Sequence, residues 1–339
     1  MTRIHIIGIG GTGLSAIARV LLEMGHTVSG SDRVESPFTR DLQSAGATIS
    51  IGHRPENVRG TDLVVRSSAI LDDNPEVIAA RALRIPVLKR ADFLSSLMDG
   101  KTSIAIAGTH GKTTTTSMIA WVLSALGQDP SFIVGGVLAN LGVNARAGKG
   151  DTFVIEADEY DRMFLGLKPT IEVVTNIEYD HPDCYPTPAD FQAAFVEFMY
   201  RLPADGTLVA YAGDPGARDL MDKAKKLGKV VIPYGLRPTT EAGQPVNVYA
   251  SVLAANEKGG FTFSASVLGN AAAVELQVPG KHNVGNALAA LTVTQLLDLP
   301  LADAARALDQ FTGTKRRFEV RGEVNGIVVI DDYAHHPTE

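Results

Sequence analysis

The chain has 339 residues, 45% of them hydrophobic and 20% charged, with a formal net charge of −7. That length holds two domains and part of a third, the composition is that of a soluble globular protein, and the acidic balance excludes the basic face of a general nucleic-acid binder. The single cysteine, Cys184, excludes an internal disulfide framework and fits a reducing compartment, and no apolar run approaches the length of a membrane span.

Arg3 to Gly8 reads as a strand. The apolar stretch Ile4 to Gly13 is too short and too broken by glycine for a signal peptide. The strand runs into Gly8, Gly10, Gly11, Thr12 and Gly13, then into an apolar-periodic helix from Leu14 to Gly25. Thr27 to Asp32 is the next strand, and it ends in an acid nineteen residues beyond Gly13. A Gly-x-Gly-x-x-Gly turn between strand and helix places a diphosphate on the helix N-terminus and a ribose hydroxyl near the acid. A nicotinamide dinucleotide meets that demand and so does a UDP-sugar; the bland alternative is a helix packed closely on a strand. Further βα alternation follows: strands at Ala47 to Ile51, Asp62 to Arg66 and Pro86 to Leu88, and a helix near Pro75 to Arg84. Ser67 and Ser68 stand at the carboxyl end of a strand, where ligands of open parallel sheets gather; a polar loop is the other reading. His53 reads as a loop histidine.

Ile104 to Ala107 is a short apolar run of the buried-strand type. It leads through Gly108, Thr109, His110, Gly111, Lys112, Thr113 and Thr114 into a helix that continues to about Leu126. Strand, glycine turn and helix together form a phosphate cradle: glycine lets backbone N–H groups face an anion, and the helix end adds unpaired donors. Lys112 is placed to reach the β/γ-phosphates of ATP and the Thr113 hydroxyl to hold Mg²⁺. Counting back from Gly111, the first glycine of the longer P-loop pattern falls on Ile106, so this is a shorter Gly-x-x-Gly-Lys-Thr form.

Phe132 to Val134 and Thr152 to Ile155 are strands. Glu156, directly after the second, is the first choice for the Mg²⁺ carboxylate, with Asp158, Glu159 and Asp161 read as ordinary solvated acids. Glu172 to Thr175 is a strand that leads toward His181, either a structural histidine or a ligand at the rim of a metal–phosphate site. Strands follow at Thr207 to Tyr211 and Lys229 to Pro233. Residues 246–278 show short strands without helices and predict a small antiparallel excursion. The helix that begins at Pro279 carries His282, Asn283 and Asn286 at its mouth. An asparagine amide pairs with the edge of adenine and a histidine stacks on it, while helix capping is the alternative role of the asparagines. In the basic cluster Thr314 to Phe318, Arg316 or Arg317 is placed to clamp a phosphoryl group, or else the cluster is a surface turn. Gly326 to Asp332 is a last strand, and Glu339 ends the run that follows.

Taken as a set these motifs resemble the ATP-dependent Mur ligase family. The carriers are Ile7 to Gly13 with Ser29 to Asp32, Gly108 to Thr116, Glu156 to Glu159, Asn176 to His181, His282 to Ala290, Lys315 to Arg317 and Asp331 to Pro337, in family order over nearly the whole chain. The resemblance implies an α/β protein of three parts: a Rossmann-like parallel-sheet UDP-sugar domain over 1–100, a central P-loop ATP domain over 101–315, and a ligase domain only begun over 316–339. It implies a cytoplasmic enzyme of peptidoglycan precursor synthesis that uses ATP and Mg²⁺, with Mn²⁺ as a replacement, to join L-alanine to the lactyl carboxylate of UDP-N-acetylmuramate. Neither nucleic acid nor membrane is expected as a partner. Gly10, Gly11, Thr12, Gly13, Asp32, Ser67 and Ser68 would hold the UDP-sugar. Gly108 to Thr114, with His282, Asn283 and Asp331, would hold ATP. Thr113, Glu156 and His181 would hold metal, the last on a second ion, and Arg317 would complete the catalytic set with Lys112.

The run Glu156 to Asp161 and the tyrosine of Ile177 to His181 lean toward the members of the family that add a tripeptide instead, while the N-terminal glycine motif favours those that add L-alanine. The family keeps its amino-acid pocket in the third domain, so the resemblance predicts that the chain is a truncated form. Such a form is expected to bind the UDP-sugar, bind ATP weakly and fail to ligate, with a poorly anchored last strand that lacks neighbours. Two rivals of other classes are a nicotinamide oxidoreductase, which leaves the P-loop unexplained, and a nucleotide-dependent switch without catalysis.

Overall fold

The computed structural model describes residues 1–338; Glu339, the last residue of the terminal run, lies outside the described residues. The first segment alternates strand and helix except between its third and fourth strands, which are joined by a 3-10 turn (Pro55–Val58): β1 (Arg3–Ile7), α1 (Thr12–Glu23), β2 (Thr27–Asp32), α2 (Pro37–Ser44), β3 (Thr48–Ile51), β4 (Leu63–Arg66), α3 (Pro75–Ala82), β5 (Val87–Lys89) and α4 (Arg90–Met98). Its strands form one parallel sheet in the order β3-β2-β1-β4-β5. The chain reverses direction across the sheet beside β1. The glycine turn after β1 therefore opens at the switch point, where the crevice of such a sheet lies. Ile4, Ile6 and Ile7 are all buried, the apolar run of a central strand covered on both faces.

The second segment supplies β6 (Thr102–Ala107), α5 (Lys112–Ala125), β7 (Ser131–Ile133), β8 (Ala145–Arg146), β9 (Thr152–Glu156), β10 (Ile171–Val174), α6 (Pro188–Met199), β11 (Thr207–Tyr211), α7 (Pro215–Lys226), β12 (Val230–Gly235), β13 (Val248–Ala255), β14 (Phe261–Val267), β15 (Asn270–Glu275), α8 (Lys281–Leu296) and α9 (Leu301–Leu308). All ten strands belong to one sheet, in the order β15-β14-β13-β12-β11-β10-β6-β9-β7-β8. The predicted antiparallel excursion exists, but it is not separate: β13 pairs parallel to β12, and β14 and β15 then extend the same sheet antiparallel. Ile104 and Ile106 of β6 face α5, α8 and α9. Ala105 and Ala107 face the aromatic cluster of Phe164, Phe191, Phe195 and Phe198. α8 is buried from Asn283 to Thr294, the signature of a helix enclosed by its own protein. The apolar core runs without interruption from α1 and α4 into the second segment.

One core residue breaks the pattern. Glu172 of β10 is fully buried between Ala105 and Leu208 of the neighbouring strands, and neither carboxyl oxygen has a hydrogen-bond partner. Burial pushes its pKa well above the usual carboxylate range, against a weaker pull from Lys229. The unfolded chain's Glu172 ionises at ordinary acidic pH while the folded one keeps its proton. Stability from this group is therefore full below the ordinary carboxylate range, and it falls by about 1.4 kcal/mol per pH unit above it until the folded group ionises. Glu172→Met is expected to raise the melting temperature at pH 8 and to lose that gain toward pH 4. Thermal melts with equal shifts at the two pH values would contradict this.

The last strand was expected to stand without a neighbour. Instead β16 (Glu319–Val324) and β17 (Ile327–Asp331) pair as an antiparallel hairpin. Asn325 and Gly326 both have positive φ at its tip, as the tight Asn-Gly turn requires. The expected lack of cover does hold for its side chains: Val320, Val324 and Ile327 to Ile330 are all exposed. Residues 332–338 form neither helix nor strand, yet they are anchored. Tyr333 N–H donates to Arg316 O at 2.9 Å, and the Thr338 hydroxyl to Glu178 Oε1 at 2.8 Å. No helix among the described residues is long and apolar enough to cross a membrane.

Candidate functional site

The short P-loop is closed by the tail of β10. At Gly108 φ is +133°, and a Cβ there would fall 2.1 Å from Thr175 Oγ1 and 2.9 Å from Asn176 O, so only glycine fits. Thr109 N–H donates to Asn176 O at 3.1 Å, His110 N–H to Asn176 Oδ1 at 2.9 Å, and the Thr109 hydroxyl to Glu178 O at 2.7 Å. Gly111 caps α5 in the left-handed region, and a Cβ on it would lie 2.9 Å from Asn286 Oδ1. The residues absent from the shorter loop are thus replaced by support from the next strand's exit.

Lys112 folds back over this loop. Its Nζ donates to Gly108 O, to Thr109 O at 3.1 Å and to Glu159 Oε1 at 2.8 Å. Glu159 is not the solvated acid that its polar surroundings in the sequence predict: its side chain is 1% exposed. Burial drives its pKa upward, but Lys112 and His181 beside it hold it below the ordinary range. Burial likewise opposes the Lys112 ammonium, and Glu159 keeps its pKa above the ordinary value. Thr113 Oγ1 donates to Glu156 Oε1 at 2.8 Å, and Gly135 N–H donates to Glu156 Oε2 at 2.6 Å. Burial raises the Glu156 carboxyl despite the pull of Lys112. A hydroxyl and a carboxylate in contact, with Glu159 Oε2 buried and without a hydrogen-bond partner nearby, form an oxygen donor set that suits a small hard cation.

His181, in the left-handed region at φ +55°, approaches the same Glu159 oxygen as Lys112. Its Nε2 is 3.7 Å from Glu159 Oε1 and 3.8 Å from Asp180 Oδ2, and Glu159 raises its pKa above the ordinary histidine value.

Beside the loop opens a cavity of about 620 Å³, within the range of small-molecule sites. Gly111, Thr113 and Thr114 line it together with Tyr211, Tyr234, Leu236 and Val278. Phosphate-loop donors and aromatic side chains in one cavity suit a nucleotide. His282, Asn283 and Asn286 also line it. The asparagines do not cap their helix, whose N-cap is Gly280. Asn283 Nδ2 instead donates to Pro279 O at 2.7 Å, and Asn286 Nδ2 to Asn283 Oδ1 at 2.9 Å.

Of the two arginines, Arg317 lines the cavity with an Nη2 3.4 Å from Thr113 Oγ1. Arg316 stacks over Tyr333 at 4.7 Å. The sequence reading placed Asp331 at the nucleotide. In the structure it pairs with Glu319 inside the hairpin, and the neighbouring Asp332 lines the cavity.

In the first segment the expected residues converge at the carboxyl ends of β1, β2 and β4. Gly10 N–H donates to Asp32 Oδ2 at 2.8 Å, and Asp32 Oδ1 accepts from Arg33 N–H at 2.7 Å. Thr12 and Gly13 open α1. Ser67 packs 3.3 Å from where a Cβ on Gly8 would lie, and Ser68 is exposed beside it. His53 belongs to a buried polar network instead, 3.0 Å from Ser31 Oγ and 3.4 Å from Glu76 Oε2. The sequence reading missed Arg90. A Cβ on Gly13 would sit 2.1 Å from Arg90 Nη1, and the other end of the same guanidinium is 3.7 Å from Asp158 Oδ2. Arg90 thus touches the first glycine turn and the acids after β9 together. Its only signal in the sequence is a basic residue at the end of a strand in that sheet.

Residues 3–102 match the Mur ligase family, catalytic domain, and residues 106–294 the Mur ligase middle domain. The chain is 46% identical over 338 residues to the UDP-N-acetylmuramate–L-alanine ligase of Paenarthrobacter aurescens, covering 99% of this chain and 72% of that one. It is 45% identical over 340 residues to the ligase of the same description from Geobacter sp. strain M21, with 99% and 71% covered. Among solved structures, UDP-N-acetylmuramate-alanine ligase from Thermotoga maritima superposes with a TM-score of 0.82 at 30% identity, covering 100% of this chain and 75% of that one. UDP-N-acetylmuramate:L-alanyl-gamma-D-glutamyl-meso-diaminopimelate ligase from Neisseria meningitides gives 0.81 at 31% identity, covering 93% of this chain and 100% of that one.

Proposed function

The chain belongs to the Mur ligase family, and from that premise we propose that it is the ATP-dependent ligase that joins L-alanine to the lactyl carboxylate of UDP-N-acetylmuramate. The observation that carries this is the presence of two phosphate-type turns, Gly8 to Gly13 and Gly108 to Thr113, with Arg90 reaching from Gly13 to Asp158 in the acidic segment after β9.

A carboxylate is unreactive toward an amine at neutral pH. In the proposed reaction one of its oxygens attacks the γ-phosphorus of ATP, the bond to the β-phosphate oxygen breaks, and ADP leaves. The amine nitrogen then attacks the acyl carbon, inorganic phosphate leaves with the bonding pair, and the nitrogen gives up a proton. The protein's part is positioning and charge neutralisation. Lys112 would turn its ammonium from Gly108 O and Thr109 O toward phosphate oxygens, with Glu159 beside the same Nζ as its counter-charge. Arg317, whose guanidinium lies 3.4 Å from Thr113 Oγ1, would face the same phosphates. His282 and Asn283 would face the base. Thr113 and Glu156 would hold Mg²⁺, which when bound draws charge from the phosphate oxygens, and His181 would serve a second ion through the Glu159 side.

The two tyrosines that lean toward a tripeptide as the amine do not line the cavity. Tyr160 OH donates to Asp183 Oδ2 at 3.0 Å and Tyr179 OH to Tyr185 O at 2.8 Å. Their role is to brace the segment around His181, and they carry no argument about the amine.

Calorimetric titration separates this reading from the oxidoreductase alternative: UDP-N-acetylmuramate should bind and NADH should not, and the reverse result would refute the ligase reading. The same titration tests the bridge. In Gly13→Ala the new methyl displaces the Arg90 guanidinium, so UDP-N-acetylmuramate affinity should fall by roughly tenfold, about 1.4 kcal/mol. Arg90→Ala should match it, and the double variant should be no weaker than either, because both remove one contact. Wild-type affinity in Gly13→Ala would contradict the bridge.

A further inference from the structure

Three ligand-type side chains from distant stretches meet at the rim of the cavity. They are His110 of the P-loop, Glu178 beyond β10, and His336 of the terminal segment, all half-buried, with ligating atoms within 4.8 Å of one another. His110 Nε2 is 3.0 Å from Glu178 Oε2, and His336 Nδ1 is 3.9 Å from Glu178 Oε1. The imidazole centroids lie 4.8 Å apart. The Glu178 carboxylate is oriented by the Thr338 hydroxyl at 2.8 Å, and its main chain is fixed by Thr109. His110 belongs to the loop read as holding ATP, but none of the three side chains is assigned to Mg²⁺ or to the transferred phosphoryl group.

We propose that His110, Glu178 and His336 form a cation site separate from the Thr113–Glu156 pair. It takes a borderline divalent transition ion such as Zn²⁺ or Co²⁺ and pins the terminal segment onto the P-loop. Two imidazoles and a carboxylate are a ligand set for such ions, whereas Mg²⁺ selects oxygen donors and keeps its waters. On a tetrahedral ion with bonds of about 2.0–2.1 Å, ligand atoms stand roughly 3.3 Å apart. His110 and Glu178 already approach that spacing. His336 must move in by on the order of 1 Å, and it sits on a stretch with no helix or strand to resist the movement. His110 and Glu178 also line the cavity, so a fourth ligand can be water or a phosphate oxygen.

The probe is Co²⁺ alone, added to the protein without nucleotide, UDP-sugar or Mg²⁺, so the outcome does not depend on the ligase reading. Wild type should take up Co²⁺ with a visible absorption of tetrahedral intensity, and Zn²⁺ should displace it. His336→Ala, a change on a segment outside both cores, should weaken this uptake at least tenfold. His336→Cys should restore it with a new thiolate-to-cobalt band. Glu156→Gln should keep the visible band of wild type. Absence of the band in wild type, an unchanged titration in His336→Ala, or its loss in Glu156→Gln would each overturn the proposal; the last would place the ion at Thr113 and Glu156.

Discussion

Lys112→Ala is expected to lower ATP-dependent turnover of the full-length protein by roughly 10³-fold, as loss of an electrostatic stabiliser of transferring charge does. UDP-N-acetylmuramate binding should be unchanged, because the Gly10 to Gly13 turn and Asp32 are tied to each other and not to Lys112. The variant should also be less stable. Glu159 is 1% exposed, with Lys112 2.8 Å away as its main counter-charge, and breaking a buried pair from one side costs about 3–5 kcal/mol. The double variant Lys112→Ala/Glu159→Gln removes the stranded charge, so it should recover most of the lost stability and none of the turnover. Chemical denaturation of the three proteins, with ADP release measured on each, checks both halves. Recovery of turnover in the double variant would show that Lys112 serves the fold and not the phosphates.

Glu156→Gln should separate activity from stability in the opposite direction. Glu156 takes a hydrogen bond on each oxygen, from Thr113 and from Gly135, and burial raises its pKa. The folded carboxyl resists ionisation more than the unfolded one, so above the ordinary carboxylate range its charge is a burden on the fold. The neutral amide lifts that burden, and the melting temperature without nucleotide should rise at pH 8. The amide is a poor partner for a hard cation, so turnover should fall by roughly 10²-fold or more and need more Mg²⁺. Such a rise in stability with a fall in activity is the mark of a residue kept for function. A Mg²⁺ titration that superposes on wild type would remove Glu156 from the metal site.

Buried parallel strands write themselves plainly in the sequence, because both faces are covered and every position turns apolar. Thr207–Tyr211 forms over the residues expected, and Ile104 to Ala107 needed only two more at its start. The two glycine turns were equally legible, since each is a local demand on backbone shape. What stayed hidden depends on partners far along the chain. Glu159 looks like a surface acid until Lys112, 47 residues upstream, is seen beside it. Arg90 gains meaning only when Gly13 and Asp158 converge on it. Asp332, and not Asp331, lines the cavity because Asp331 is taken up in the hairpin opposite Glu319. The hairpin itself had a local signal in Asn325-Gly326, but Arg321, Gly322 and Glu323 break the apolar alternation of its first strand.

The central claim is that ATP is spent to activate the carboxylate of a UDP-linked sugar acid for an amine. The most direct test is ADP release by the full-length protein, with the products weighed by mass spectrometry. The account predicts release only when UDP-N-acetylmuramate and L-alanine are both present, with one amide formed per ADP. ADP release that ignores the UDP-sugar, or that yields no amide, would contradict it.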